Sequence, residues 1–137
     1  MNKNKIVKIL ILVLWMIVIF LLSNQNGTES QSLSDGLIGK ILCPIVNNCD
    51  ADIYSLIIRK TAHFMLYFIL GIFSFINFKI SKENIITALL ICIIYAFTDE
   101  IHQMLIDNRS GELRDILIDS LGSLSSILLI YKLKKRD

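Results

Sequence analysis

The 137-residue chain has little of what marks most soluble proteins, with a single proline and charges at only 19% of its positions. Soluble globular domains carry charges at about a quarter of their positions, so an ordinary soluble domain is disfavoured. No basic face interleaved with aromatic residues is present, which excludes a nucleic-acid-binding surface. No activated serine or cysteine nucleophile is recognisable. What is abundant is hydrophobic sequence, at 54% of the chain with a mean hydropathy of +0.62.

The hydrophobic residues are concentrated in four runs. A helix needs about 20 residues to cross roughly 30 Å of hydrocarbon. The first run lacks a small-x-small cleavage site, which favours a retained anchor over a cleaved signal peptide. A soluble helical bundle is the alternative, but little polar sequence remains to cover its surface. The sequence therefore predicts an all-α, integral membrane four-helix bundle, a single domain over residues 1–137 with transmembrane helices at approximately residues 6–23, 59–78, 85–104 and 115–131.

The basic residues are distributed unevenly along this pattern. Nine of the fourteen lysines and arginines lie at the two termini or between the second and third runs. Because lysine and arginine accumulate on the cytoplasmic side, both termini are predicted to be cytoplasmic and the loop between helices 1 and 2 extracytoplasmic. That loop contains Cys43 and Cys49, which form either a disulfide or two free thiols in an oxidising compartment.

Ionisable residues lie at the predicted outer ends of the last three runs. At about 1.5 Å per residue, His63 and Asp119 lie about 6 Å below the outer surface and Asp99 about 7 to 8 Å below it. Arg59, His63 and Tyr67 are four residues apart and share one helix face. A charge facing lipid is costly, at about 2.5 to 3.5 kcal/mol in the bilayer centre. We therefore expect helices 2, 3 and 4 to converge on a polar pocket, with helix 1 peripheral to it.

Asp119 lies within a hydrophobic run, so its carboxylate requires a partner. The candidate partners are Arg59, His63 and Arg109. Gly122, Ser123 and Ser126 lie on or beside the Asp119 face of the same helix. Small residues there are predicted to let a neighbouring helix approach closely.

The candidate site residues form two groups. Residues suited to acid–base chemistry are candidates for catalysis: His63, Asp99, His102 and Asp119. Residues suited to holding a polar head group are candidates for binding: Arg59, Lys60, Tyr67, Glu100, Gln103, Arg109, Arg114 and Asp115. No cofactor is expected, and a metal site is disfavoured because no ligand spacing supports one and Glu100 and His102 point to different faces.

Each candidate also has a structural interpretation. His63 would then only donate a hydrogen bond between helices, and Arg109 would be an ordinary loop charge. Asp99 and Glu100 would form an acidic helix end at the water interface. Under this interpretation the charged residues only hold the helices together.

Three segments are similar to the VanZ-like family of small bacterial membrane proteins: "LSNQNGTESQSLS", "RKTAHFMLYFILG" and "DEIHQMLIDNRSGELRDILIDSLG". The family pattern is R-K-x-x-H-F-x-x-Y, then D-E-x-x-Q, then R followed by D-x-x-x-D/N-x-x-G. The matching residues are Arg59, Lys60, His63, Phe64, Tyr67, Asp99, Glu100, Gln103, Arg109, Asp115, Asp119 and Gly122. The resemblance covers nearly the whole chain and implies a four-helix protein of the bacterial cell membrane.

The founding member of that family lowers susceptibility to teicoplanin, a lipid-tailed glycopeptide that binds cell-wall precursors outside the membrane. The resemblance thus implies action at the outer leaflet on or around a lipid-linked cell-envelope component. Two functional hypotheses follow. The first is a binding protein whose partner is a membrane lipid or a lipid-linked cell-wall intermediate, held by arginines. Its aspartates would repel phosphate unless paired or protonated. The second is an enzyme using histidine and aspartate acid–base chemistry on a polyprenyl- or phospholipid-phosphate.

Overall fold

A computed structural model of the chain describes residues 3–24, 32, 36, 50–79, 81–106 and 111–136. Within these residues the structure has no strand and four long helices. They are α1 (Lys3–Ser23), α2 (Ala51–Phe75), α3 (Lys82–Gln103) and α4 (Leu113–Arg136). The predicted all-α class is confirmed. The predictions for Cys43, Cys49 and Arg109 lie outside the described residues.

Each of the four helices is long and apolar enough to cross a membrane, over 21 to 24 residues. At about 1.5 Å per residue, 21 residues extend about 32 Å, which matches the hydrocarbon thickness of a bilayer. Large hydrophobic side chains point outward, such as Leu14 at 62% exposed, Ile94 at 63% and Leu117 at 64%. A surface of this kind is stable in lipid and not in water, and the fold is that of a multi-pass membrane protein.

Helix α2 begins earlier than the boundary assumed at Arg59. The carboxylate of Asp50 caps it by accepting hydrogen bonds from the backbone N–H groups of Asp52 and Ile53. This satisfies donors that have no partner within the helix, so the helix starts at Ala51. The polar face that begins at Arg59 therefore lies two turns inside α2, and not in its first turn.

Helices α2 and α4 approach each other most closely at two glycines. A Cβ atom on Gly122 would overlap the carbonyl oxygen of Phe64 and lie 3.2 Å from the backbone nitrogen of Phe68. A Cβ atom on Gly71 would lie 2.6 Å from the carbonyl oxygen of Ser123. The small residues predicted to allow this approach, which are Gly122, Ser123 and Ser126, are all buried. That prediction is confirmed.

Helix α1 packs against α2 and α3 through two hydrogen bonds from aromatic side chains. Trp15 Nε1 donates to the carbonyl oxygen of Leu66 at 3.0 Å, and Tyr95 Oη donates to that of Met16 at 2.5 Å. These contacts fix the height of α1 against its neighbours. They place its last residue, Ser23, beside the C-terminal end of α3.

Candidate functional site

Buried and half-buried polar side chains gather at the end of the bundle opposite to the chain termini. We call this set the polar cluster, and its members are Ser23, His63, Tyr67, Asp99, Glu100, Gln103 and Asp119. Asp119 is only 1% exposed, and Asp99 and Glu100 are 3% and 4% exposed. The two acidic residues of α3 are therefore not a solvated helix end, and that interpretation of them is wrong. Ionised side chains at such depth need partners, because burial removes their hydration.

His63 of α2 contacts Asp119 of α4. The Nδ1 atom of His63 lies 3.4 Å from Oδ1 of Asp119, so the prediction that Asp119 has a basic partner is confirmed. Neither oxygen of Asp119 accepts a hydrogen bond of good geometry from the described residues. The contact between the two side chains thus leaves most of the hydrogen-bonding capacity of this carboxylate unused.

Asp99 is held from two helices. Its Oδ2 atom accepts a hydrogen bond from Ser23 Oγ at 2.9 Å and another from Gln103 Nε2 at 3.0 Å. Since Ser23 belongs to α1, the prediction that helix 1 is peripheral to the polar pocket is wrong. The signal for Ser23 was its position in the sequence, immediately after the first hydrophobic run and at the start of "SNQN".

His102 contacts different residues from His63, although both were candidates for catalysis. Its ring stacks on Phe20 with centroids 4.4 Å apart, and its Nε2 atom lies 3.3 Å from Oδ1 of Asn24. His102 therefore packs against α1 and its C-terminal end.

Among the described residues, no three histidine, cysteine, aspartate or glutamate side chains come together as metal ligands.

Lys60 links α2 to the beginning of α4. Its Nζ atom forms an ion pair with Asp115 and a second one with Glu112 at 3.1 Å. The backbone N–H of Glu112 in turn donates to Oε1 of Glu100. Sequence reasoning missed Glu112, because a loop glutamate carries no periodic signal. Because its ammonium group pairs with two carboxylates, Lys60 is less available to a ligand than the sequence alone implied.

The two remaining basic candidates in the described residues have no such partners. Arg59 is half-buried one turn before His63, and Arg114 is exposed in the first turn of α4. Neither forms an ion pair or a side-chain hydrogen bond with another described residue. These guanidinium groups are therefore available at the rim of the polar cluster.

Several buried polar atoms of the cluster have no hydrogen-bond partner in the described part of the chain. They are Nδ1 of His63, Oη of Tyr67, Oδ1 of Asp99, Oε2 of Glu100 and both carboxylate oxygens of Asp119. His63 of α2 contacts Asp119 of α4, and Glu100 of α3 accepts a hydrogen bond from the backbone N–H of Glu112 just before α4, so polar groups of the three helices meet at this end of the bundle. The predicted convergence of these helices is confirmed, and that His63, Asp99 and Asp119 line one cavity stays a prediction. Each buried group without a partner costs about 1–3 kcal/mol, so the arrangement calls for an explanation.

A groove of about 340 Å³ lies on the surface beside Lys60. It is lined by Leu56, Ile57, Lys60, Thr61, Phe64 and Ile118. Its walls come from α2 and α4 and are mostly apolar, and the Lys60 ion pairs with Asp115 and Glu112 lie at one side of it. A hydrocarbon chain fits the chemistry of these walls.

Comparison with known proteins places this architecture in a family. The model of the VanZ/LLP1 family matches residues 8–134, which run from α1 to α4 and include the whole polar cluster. No curated protein and no solved structure matches the chain. The resemblance drawn from the three sequence segments is thereby confirmed, and the chain belongs to the VanZ/LLP1 family.

Proposed function

We propose that this protein binds the head group of a membrane lipid or lipid-linked cell-envelope component at the outer leaflet of a bacterial membrane. Through that binding it lowers susceptibility to lipoglycopeptide antibiotics such as teicoplanin. The observation that carries the proposal is the set of buried polar atoms without a partner among the described residues, at one end of four membrane-spanning helices. Membership of the VanZ/LLP1 family supports the link to teicoplanin resistance.

The chemistry around the polar cluster supports a lipid as the ligand. The groove beside Lys60 offers an apolar path for an acyl or polyprenyl chain. Arg59 and Arg114 have no partner among the described residues and can each donate two parallel hydrogen bonds to a phosphate. The polar head group then reaches the unpartnered atoms of the polar cluster.

The outer-leaflet location depends on the orientation of the chain. We expect Asn26→Cys to be labelled by a membrane-impermeant thiol reagent in intact cells and Lys135→Cys to be spared, in a background without the native cysteines. The reason is the excess of lysine and arginine at the termini and between the second and third helices. Labelling of Lys135→Cys alone would place the polar cluster at the inner leaflet and overturn this part of the proposal.

Lipid binding itself is testable by native mass spectrometry of protein extracted in mild detergent. We expect a lipid adduct on the native protein that Arg59→Ala weakens by at least about tenfold, since a charged hydrogen bond contributes about 1.5–3 kcal/mol. Lys134→Ala is the matched control, because this exposed lysine lies at the other end of the bundle. Equal retention of the adduct in both variants would remove Arg59 from the site. The absence of any adduct would contradict the proposed function.

The contact between His63 and Asp119 favours a second candidate function, an enzyme acting on the same lipid. A histidine oriented by a buried carboxylate is suited to transfer a proton to or from a phosphate ester. This candidate is distinguished by turnover. Conversion of added lipid-linked phosphate by the native protein, lost in a folded His63→Ala variant, would establish the enzyme over the binding protein.

A further inference from the structure

The polar cluster has more buried carboxyl groups than basic partners in the described part of the chain. Three carboxylates, from Asp99, Glu100 and Asp119, are at most 4% exposed. His63 is the basic residue that contacts them among the described residues, and it contacts Asp119. Lys60 is directed to Asp115 and Glu112 instead. In the described part of the chain, three buried carboxyl groups therefore have one basic side chain in contact with them.

The unpartnered atoms of the cluster are mostly hydrogen-bond acceptors. Four of the six are carboxylate oxygens, and the other two, the hydroxyl of Tyr67 and Nδ1 of His63, can donate or accept. Tyr67 lies one turn after His63 on the same face of α2, so we place its hydroxyl in the same site. A phosphate brings further acceptors and negative charge, and it would be repelled at this position. What the described part of the site lacks is a group with positive charge and several N–H donors.

We infer that the polar cluster binds a primary ammonium group. Such a group supplies one positive charge and three N–H donors for oxygens that have no partner among the described residues, above all the two of Asp119. A quaternary ammonium has the charge without any N–H donor, and it leaves the acceptors unsatisfied. The inference rests on the proposed function and specifies the ligand as a lipid or lipid-linked component with a free amine.

An aminophospholipid combines this amine with a phosphate in one head group. Arg59 lies one turn before His63 on the same face of α2. The ammonium can therefore occupy the polar cluster while the phosphate lies near Arg59, and an acyl chain follows the groove beside Lys60. The same amine could also come from a soluble molecule, which an experiment has to separate from the lipid.

The test compares lipids that differ only in the head group. Full-length protein, stripped of lipid in detergent, is titrated with phosphatidylethanolamine, phosphatidylcholine and phosphatidylglycerol of identical acyl chains, and adducts are measured by native mass spectrometry. We expect phosphatidylethanolamine to bind at least about tenfold more tightly than the other two. Asp119→Asn, which keeps the shape and removes the charge, should abolish that preference. Glu83→Gln removes an exposed carboxylate at the other end of α3 and should leave the preference unchanged.

The outcomes separate this inference from the proposed function. Equal binding of all three lipids, lost in Asp119→Asn, would overturn the ammonium site and leave the proposed lipid binding intact. If the protein binds none of the tested lipids and no lipid from cell extract, the proposed function itself is contradicted. Competition by glycerophosphoethanolamine, which has no acyl chains, would assign the amine to a soluble ligand. Asp99→Asn serves as the second variant if Asp119→Asn does not fold, and the same loss of preference is expected.

Discussion

Gly122→Ala is expected to lower the free energy of unfolding by about 1–3 kcal/mol. The added methyl group would meet the carbonyl of Phe64 and the backbone nitrogen of Phe68. Backbone atoms cannot turn aside as a flexible side chain can, so α2 and α4 have to separate. The separation would also disturb the polar cluster, since His63 and Asp119 face each other across the same two helices. Thermal unfolding in detergent measures the effect.

The sign of this change distinguishes packing from intrinsic helix propensity. Alanine is favoured over glycine inside a helix by about 0.5–1 kcal/mol, so propensity alone predicts a more stable protein. Gly36→Ala is the matched control, because a Cβ atom there meets nothing within 4 Å. A Gly122→Ala protein as stable as the Gly36→Ala protein would mean that the close approach of α2 and α4 is not required.

Asp119→Leu is expected to reduce the proposed lipid binding at least about tenfold and to remove the proposed protection against teicoplanin, while the protein stays as stable as before or becomes more stable. A buried carboxylate with incomplete hydrogen bonding is costly, and an imidazole such as that of His63 can be neutral, so Asp119→Leu need not leave an uncompensated buried charge. If the polar cluster only held the helices together, the same change would lower stability. Binding by native mass spectrometry, drug susceptibility and thermal unfolding are measured on one variant.

A double variant tests whether the losses of lipid binding at His63 and at Asp119 depend on each other. Because His63 contacts Asp119, adding His63→Ala to Asp119→Leu should cause little further loss of binding. Glu83→Leu is the control for loss of a carboxylate, and it should leave binding unchanged since Glu83 is exposed at the start of α3. Full additivity of the losses at His63 and Asp119 would show that the two residues do not act in one site.

The sequence by itself determined the helices, the membrane character and the polarity of one end of the bundle. These features follow from local patterns, because hydrophobic run length and the 3.6-residue period are properties of a single segment. The need of Asp119 for a partner was also readable, since a carboxylate within a hydrophobic run has no other stable environment. The small residues around Gly122 predicted a close helix contact, because small side chains let two helix backbones approach each other.

Only the tertiary structure decided which side chains meet at that end. Ser23 joins Asp99, and His102 packs on Phe20, because Trp15 and Tyr95 fix the height of α1 against α2 and α3. Lys60 forms ion pairs with Asp115 and with Glu112, and Glu112 is a loop residue that no hydrophobic periodicity in the sequence points to. The physical reason is that a residue's position along its own helix is set by its sequence neighbours. Its partner on another helix is set by the relative height and rotation of the two helices, which depend on packing along their whole length.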